Sequence, residues 1–136
     1  MKSKAIFFVF LGLIFLLSCN TDNSIICTEE YRMLTVFLSD TSDNPVILTS
    51  NYTEKTSTDE IIYFIEEDNY FDSINRVNGI YILFTDGKMS MTTKSGTEFR
   101  FKGFIDSVLV VNEPYIIKND GCHVLLESGN TEIIIE

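Results

Sequence analysis

From residue 32 onward, the chain consists of short apolar, β-branched segments separated by turn residues. Residues 97–105 show the pattern best, since Phe99, Phe101 and Ile105 fall on one face of an alternating segment. A period of two is typical of a half-buried β-strand. The same pattern, or a short β-branched run, predicts further strands at residues 32–38, 46–49, 60–66, 80–85, 88–92, 108–111, 115–118, 122–127 and 131–135.

The connections between these segments carry turn chemistry. Asp86-Gly87 predicts a two-residue hairpin that joins the strands on either side of it, and Asp106-Ser107 predicts a second turn. Pro114 restricts its neighbourhood to the start of a strand or to a sheet edge. Strands that recur about every ten residues predict an all-β fold, a single antiparallel β-sandwich of about 7–9 strands.

Residues 57–68 fit two interpretations. Ser57 and Glu60 have the spacing of a capping box, and Ile61, Phe64 and Ile65 would form a stripe on a short helix. The β-branched isoleucines favour a strand instead. The sequence leaves this choice open.

The first residues differ from the rest of the chain. Lys2 and Lys4 precede an uncharged run of thirteen residues, 5–17. This layout is that of an export signal, and the run is too short for a membrane span, which needs roughly 20 apolar residues.

The end of this run, Leu16-Leu17-Ser18-Cys19, resembles the lipobox read by the bacterial lipoprotein signal peptidase. The resemblance implies cleavage before Cys19 and attachment of acyl chains to its sulfur, which would anchor the protein without a membrane-spanning helix. The chain then divides into a signal peptide (1–18), a lipidated tether (19–26) and a β-sandwich domain (27–136). Asn20 follows the cysteine where the inner-membrane retention pattern has Asp, so we expect the outer membrane, with the periplasmic or surface face undetermined.

Charge excludes one class of partner. Loss of Lys2 and Lys4 with the signal leaves 8 basic and 20 acidic side chains, a formal charge of −12. Affinity for nucleic acid comes from clustered Lys and Arg, and the sequence has no such cluster. We therefore expect no nucleic-acid partner. The same acidity would repel anionic lipid headgroups, so contact with a membrane would depend on the anchor.

Once Cys19 is assigned to lipid, Cys27 and Cys122 remain as an even pair in an oxidising compartment. We predict a disulfide between them, with two buried free thiols as the alternative. Cys122-His123 also resembles a nucleophile and its base, but neighbours on a strand point to opposite faces. Zinc held by these two thiolates and His123 is likewise disfavoured, and replacing His123 is expected to leave stability largely intact.

Other polar residues carry weaker signals. Asp40, Asp43 and Asn44 offer oxygen ligands for calcium but lack the twelve-residue loop pattern, so a solvated turn is favoured. Sheet packing is favoured over a ligand-binding role for the tyrosines at positions 52, 63, 70, 81 and 115. We predict no catalytic residue, no metal and no cofactor, and the ligand-binding residues stay unknown.

Several short segments are similar to parts of small Bacteroidota lipoproteins that carry transthyretin-like or immunoglobulin-like sandwiches. They are Cys27-Thr28, Asn44-Pro45-Val46, residues 110–117, Asp120-Gly121-Cys122-His123 and Ser128-Gly129. The resemblance implies a fold and a compartment but no catalytic residues. We expect a non-catalytic accessory or binding module of the cell envelope with a possible envelope protein partner. A small-ligand or glycan binder is the alternative.

Overall fold

The computed structural model describes residues 25–64 and 70–136, and all structural statements below concern those residues. They form an all-β fold with one short α-helix and one 3₁₀ helix. The elements are β1 (Met33–Asp40), β2 (Ser50–Lys55), β3 (Glu60–Ile62), α1 (Tyr70–Val77), β4 (Ile80–Thr85), a 3₁₀ helix (Asp86–Met91), β5 (Thr97–Ile105), β6 (Val108–Asn119), β7 (Val124–Ser128) and β8 (Glu132–Ile135).

The strands form two sheets. The larger sheet has the order β3-β2-β5-β6-β7, and the smaller sheet has the order β4-β1-β8. All pairs in the larger sheet and the β1–β4 pair are antiparallel, but β1 and β8 run parallel. The all-β prediction is confirmed, whereas the expectation of a purely antiparallel arrangement is wrong at this one pair. Parallel pairing became possible because β8 returns from the larger sheet instead of following β1 in a hairpin.

The core lies between the two sheets and follows the alternation of the sequence. On β5, Phe99 and Phe101 are fully buried, as predicted. The Phe99 ring lies 4.7 Å, centroid to centroid, from the ring of Phe84 on β4, so the sheets contact each other through aromatic side chains. On β1, the alternating residues Val36 and Leu38 are also buried. Burial of such side chains stabilises each by roughly 1.5–3 kcal/mol.

The turn predicted at Asp106-Ser107 is confirmed, and it joins β5 to β6 in the longest hairpin. Both turn residues have positive φ angles, 47° and 68°, as a two-residue type I′ turn requires. Pro114 also fits its predicted setting. β7 pairs with β6 only at residues 116–119. At Pro114, the side of β6 that faces away from β5 is therefore a sheet edge.

The hairpin predicted at Asp86-Gly87 is wrong. β4 pairs with β1, and Asp86–Met91 forms a 3₁₀ helix instead of a turn into a strand at 88–92. The Asp86 carboxylate accepts hydrogen bonds from distant backbone groups, described below, and Met89 and Met91 pack against the core. Tertiary contacts therefore override the local Asp-Gly signal.

The strand predicted at 46–49 is also wrong, and the strand that follows it, β2, was missed. Residues 46–48 are held by Tyr81, whose hydroxyl donates to the Val46 carbonyl at 3.0 Å and accepts from the Leu48 amide at 2.7 Å. β2 escaped prediction because its buried side chains are the polar Asn51 and Thr53. Thr53 is satisfied in the core by donating to the Leu83 carbonyl at 2.7 Å.

In the ambiguous segment 57–68, a strand forms at residues 60–62, no helix forms within 57–64, and residues 65–68 lie outside the described part. The helix α1 begins later, at Tyr70, and was not predicted. It leads into Gly79, whose φ of +72° and close approach to the Leu38 carbonyl require glycine. No helix within the described ranges is long and apolar enough to cross a membrane.

Candidate functional site

The two cysteines of the domain are joined as predicted. Cys27 and Cys122 form a disulfide across 95 residues, with their Cα atoms 5.3 Å apart. The alternative of two free thiols is therefore wrong. The bond also removes both sulfurs as a nucleophile or as thiolate ligands for zinc. It fastens the segment that precedes β1 to the turn that precedes β7.

His123 is buried, with 6% of the residue exposed. It lies just before β7, and its ring nitrogens both have partners. Nδ1 lies 2.8 Å from the Asp86 carboxylate, and Nε2 lies 3.0 Å from the Thr28 hydroxyl. This geometry argues against the expectation that replacing His123 leaves stability largely intact, because replacement would leave buried partners unsatisfied.

Asp86 is the centre of this cluster, which we call the Asp86 cluster: Thr28, Arg32, Asp86, His123 and Val124. Besides the imidazole, the Asp86 carboxylate accepts the backbone N–H groups of Arg32 and Val124, each at 2.7 Å. Burial opposes ionisation of this carboxyl, but these hydrogen bonds outweigh it and lower the pKa of Asp86. One carboxylate thus connects the N-terminal segment, the 3₁₀ helix and β7.

A neighbouring aspartate fixes the turn that carries the cysteine and the histidine. The Asp120 carboxylate accepts the backbone N–H groups of Cys122 at 2.8 Å and His123 at 2.7 Å. These two hydrogen bonds lower the pKa of Asp120, and the bond from the His123 amide has the larger effect. The imidazole is therefore held by its backbone as well as by its ring.

The order of groups in the Asp86 cluster is hydroxyl, imidazole, carboxylate. The same order activates the nucleophile of serine hydrolases, where the imidazole takes the hydroxyl proton and the carboxylate orients the imidazole. Here the Asp86 carboxylate also holds two backbone amides from different segments, and Thr28 directly follows a disulfide cysteine. Through these contacts the cluster holds the N-terminal segment, which carries Thr28 and Arg32, against the 3₁₀ helix and β7.

The residues considered for calcium form a turn. Asp40 accepts the backbone N–H groups of Ser42 at 2.8 Å and Asn44 at 2.9 Å, and the Asn44 side-chain amide as well. The Asn44 side chain is the main cause that lowers the pKa of Asp40. Within the described ranges, no group of three or more potential ligands lies close enough to hold a metal ion.

The five tyrosines considered as ligand contacts fall into different environments. Tyr81 and Tyr115 are buried, which confirms sheet packing for both. The Tyr115 hydroxyl donates to the Asn130 carbonyl at 2.6 Å, and burial raises its pKa. The side chain of Tyr70 lies outside the described part. Tyr52 and Tyr63, in contrast, lie on the outer side of the larger sheet.

These two tyrosines belong to a continuous surface, which we call the aromatic face: Tyr52, Glu54, Tyr63, Lys102 and Phe104. The Tyr52 ring contacts the Tyr63 ring edge-on at 5.9 Å and the Phe104 ring in a stacked arrangement at 5.6 Å, centroid to centroid. Tyr63 is 62% exposed. The row of rings therefore crosses the sheet from the end of β3, over β2, to the end of β5.

An ion pair adjoins the rings. The Lys102 ammonium contacts both Glu54 carboxylate oxygens, at 2.9 and 2.8 Å, and lies 5.9 Å from the centre of the Tyr52 ring. Its hydrogen bond to Glu54 is the main cause that raises the pKa of Lys102. The side chains of Lys102 and Glu54 are 21% and 15% exposed, so both are partly accessible from solvent.

The sequence analysis missed Glu54, Lys102 and Phe104, and it missed Asp86. A signal for Lys102 and Phe104 was present, because residues 98–104 alternate between buried aromatic and outward polar or aromatic side chains. No local signal joins Asp86 to His123, since the two are 37 residues apart.

Comparisons with protein-family models, with curated proteins and with solved structures find no match to this chain.

Proposed function

We propose that the protein is a bacterial lipoprotein, held in the outer membrane by acyl chains on Cys19, whose β domain is a non-catalytic accessory or binding module of the cell envelope. The observation that carries this proposal is the cysteine pairing. Cys27 and Cys122 are joined to each other, which leaves Cys19 as the remaining cysteine, directly after the uncharged run of residues 5–17. A structural disulfide is typical of an exported domain.

The contacts of the domain support a binding role over catalysis. The cluster with the order of a catalytic triad fastens the N-terminal segment, and its carboxylate holds backbone amides as well as the imidazole. The sandwich type is part of the proposal. The parallel pairing of β1 and β8 brings the first and last strands side by side, which supports a transthyretin-like or immunoglobulin-like arrangement.

Metabolic labelling with radioactive palmitate tests the anchor. We expect label on the parent protein and none on Cys19→Ala. The double variant Cys27→Ser/Cys122→Ser is the matched control, because it removes the other two cysteines and should keep the label. Equal labelling of Cys19→Ala and the parent would overturn the lipoprotein proposal.

Two further measurements test the module. Cross-linking in native membranes should capture a stoichiometric envelope protein if the domain is an accessory subunit. Hydrolysis of p-nitrophenyl acetate tests the non-catalytic assignment, and turnover that Thr28→Val abolishes would overturn it.

The alternative, a small-ligand or glycan binder, is favoured by one specific observation. Tyr52, Tyr63 and Phe104 form a contiguous row on the outer side of a sheet rather than packing in the core.

A further inference from the structure

The aromatic face has an unusual combination of groups for the outer side of a sheet. Three aromatic rings are in contact, and a hydrogen-bonded carboxylate and ammonium lie beside the central ring. Cross-strand aromatic pairs do stabilise sheets, by about 0.2–1 kcal/mol each. That gain does not require Tyr63, which extends past the last residue of β3 and keeps most of its surface in solvent.

The chemistry of the face matches a carbohydrate. A sugar ring has C–H faces that pack on aromatic rings and hydroxyl groups at its edge that donate and accept hydrogen bonds. Tyr52, Tyr63 and Phe104 supply the rings. Glu54 accepts hydrogen bonds from hydroxyls, and Lys102 donates to them. Successive ring centroids lie 5.9 and 5.6 Å apart, with the rings inclined to each other by 63° and 29°.

The face is also organised before a ligand arrives. Glu54 and Lys102 lie on neighbouring strands and hold each other through two short contacts, at 2.9 and 2.8 Å. Tyr52 is fixed between its two aromatic neighbours. Binding would therefore immobilise few side chains, which reduces the entropic cost of association.

Charge decides which kind of carbohydrate fits. On this side of the larger sheet, Lys102 is paired with Glu54 and Lys118 with Glu127, while Arg100 contacts the side-chain oxygen of Asn112 at 3.5 Å. The chain after loss of the signal has 8 basic against 20 acidic side chains. Its field repels polyanions. A neutral glycan meets no such barrier.

We propose that the aromatic face binds a neutral glycan chain, whose sugars stack on Tyr63, Tyr52 and Phe104 while their hydroxyls bond to Glu54 and Lys102. This rests on the proposed function of the domain as a binding module. It names the ligand class and the residues that take it.

Affinity electrophoresis of the purified full chain in detergent tests the proposal. Native gels contain hydroxyethyl cellulose, xyloglucan, glucomannan or amylopectin as neutral probes, and polygalacturonate as the anionic one. We expect retardation by at least one neutral probe. Tyr52→Ala and Tyr63→Ala should each weaken that binding at least tenfold.

Tyr31→Ala is the matched control. Tyr31 is 60% exposed, almost the same as Tyr63, but its hydroxyl accepts the backbone N–H of Gly87 in the 3₁₀ helix rather than contacting the larger sheet. It should be retarded like the parent. Thermal melts of all variants confirm folding, and Tyr63→Ala must fold because its side chain is largely in solvent.

Three results would overturn the proposal: no retardation by any neutral probe, retardation that both tyrosine variants retain, or binding of polygalacturonate alone. Cross-linking of a protein to this face without glycan binding would also overturn the glycan proposal, and it would favour a protein partner. The palmitate experiment is independent of these gels, so a failed anchor and a failed glycan site are distinguishable.

Discussion

The Asp86 cluster and the aromatic face are two polar-aromatic regions with opposite accessibility. In the Asp86 cluster, His123 is 6% exposed and each ring nitrogen already has a partner. On the aromatic face, Tyr63 is 62% exposed and the ring row continues to the surface. Thr28, His123 and Asp86, which have the order of a catalytic triad, thus hold separate segments of the fold together. The residues that resemble ordinary sheet packing are the ones a ligand can reach.

This difference makes the two regions separable by mutation. Changes in the Asp86 cluster should lower stability whatever the protein binds, because they strand buried polar groups. Changes on the aromatic face should alter binding and leave stability nearly unchanged.

The largest effect is expected for Asp86→Ala. It removes the partner of the imidazole and of two backbone amides, and breaking such a buried network costs about 3–5 kcal/mol. Urea unfolding followed by circular dichroism measures the change. Glu98→Ala, at an exposed position on β5, serves as the control and should remain within about 0.5 kcal/mol of the parent. An equally small change for Asp86→Ala would show that the cluster is not structural.

Removal of the disulfide comes next. Cys27→Ser/Cys122→Ser opens a link across 95 residues, and we expect a loss of about 2–4 kcal/mol in the free energy of unfolding. The N-terminal segment should then become more sensitive to protease, because Thr28 and His123 lose the covalent link next to them. Unchanged protease sensitivity would mean that the Asp86 cluster holds this segment alone.

Acid should weaken the Asp86 cluster and leave the ring contacts of the aromatic face in place. The pKa of Asp86 is lowered in the folded protein, so its contribution is present above the unfolded value of about 3.9 and is lost as pH falls through the folded value. Asp86→Asn should flatten the stability profile below about pH 4. Melting temperatures between neutral pH and acid measure this, and parallel profiles for the variant and parent would contradict it.

A gain of stability is expected at the β5–β6 turn. Ser107 has a φ of 68°, a conformation that glycine adopts without strain. Ser107→Gly should stabilise the hairpin by about 0.5–1 kcal/mol, measured by urea unfolding. Because this turn is distant in the sheet from the Asp86 cluster, its effect should add to that of Asp86→Ala in the double variant. Destabilisation by Ser107→Gly would show that the turn does not need a left-handed residue.

The smallest change in stability is expected for Tyr63→Ala, within about 0.5 kcal/mol, since the ring is mostly in solvent. The same variant is the one expected to lose glycan binding. A large loss of stability would mean that the ring row is structural, and the contrast between the two regions would disappear.

Much of the fold follows from local pattern. The alternation of residues 97–105 predicted β5 with its bounds, and the pair Asp106-Ser107 predicted the turn after it. The strand at 80–85 was also predicted with its bounds. Each of these depends on residues within one segment, where side-chain period and turn preference act directly.

The failures share a physical cause as well. The Asp86-Gly87 hairpin, the missed strand β2 and the burial of His123 all depend on a partner from elsewhere in the chain. Asp86 binds backbone groups at Arg32 and Val124, and Thr53 finds its acceptor at Leu83. A buried polar group is stable only where such a partner exists, so its sequence neighbours do not reveal it.

The sequence by itself determined the all-β class and the strongly acidic balance, because composition and side-chain alternation can be read from the chain directly. It predicted the disulfide between Cys27 and Cys122 but left two free thiols as the alternative. Only the tertiary structure decided that Asp86 meets His123 and that Tyr52, Tyr63 and Phe104 form one surface. Those contacts are created when β3, β2 and β5 pair and the disulfide draws the two ends of the domain together, bringing side chains distant along the chain within a few ångströms.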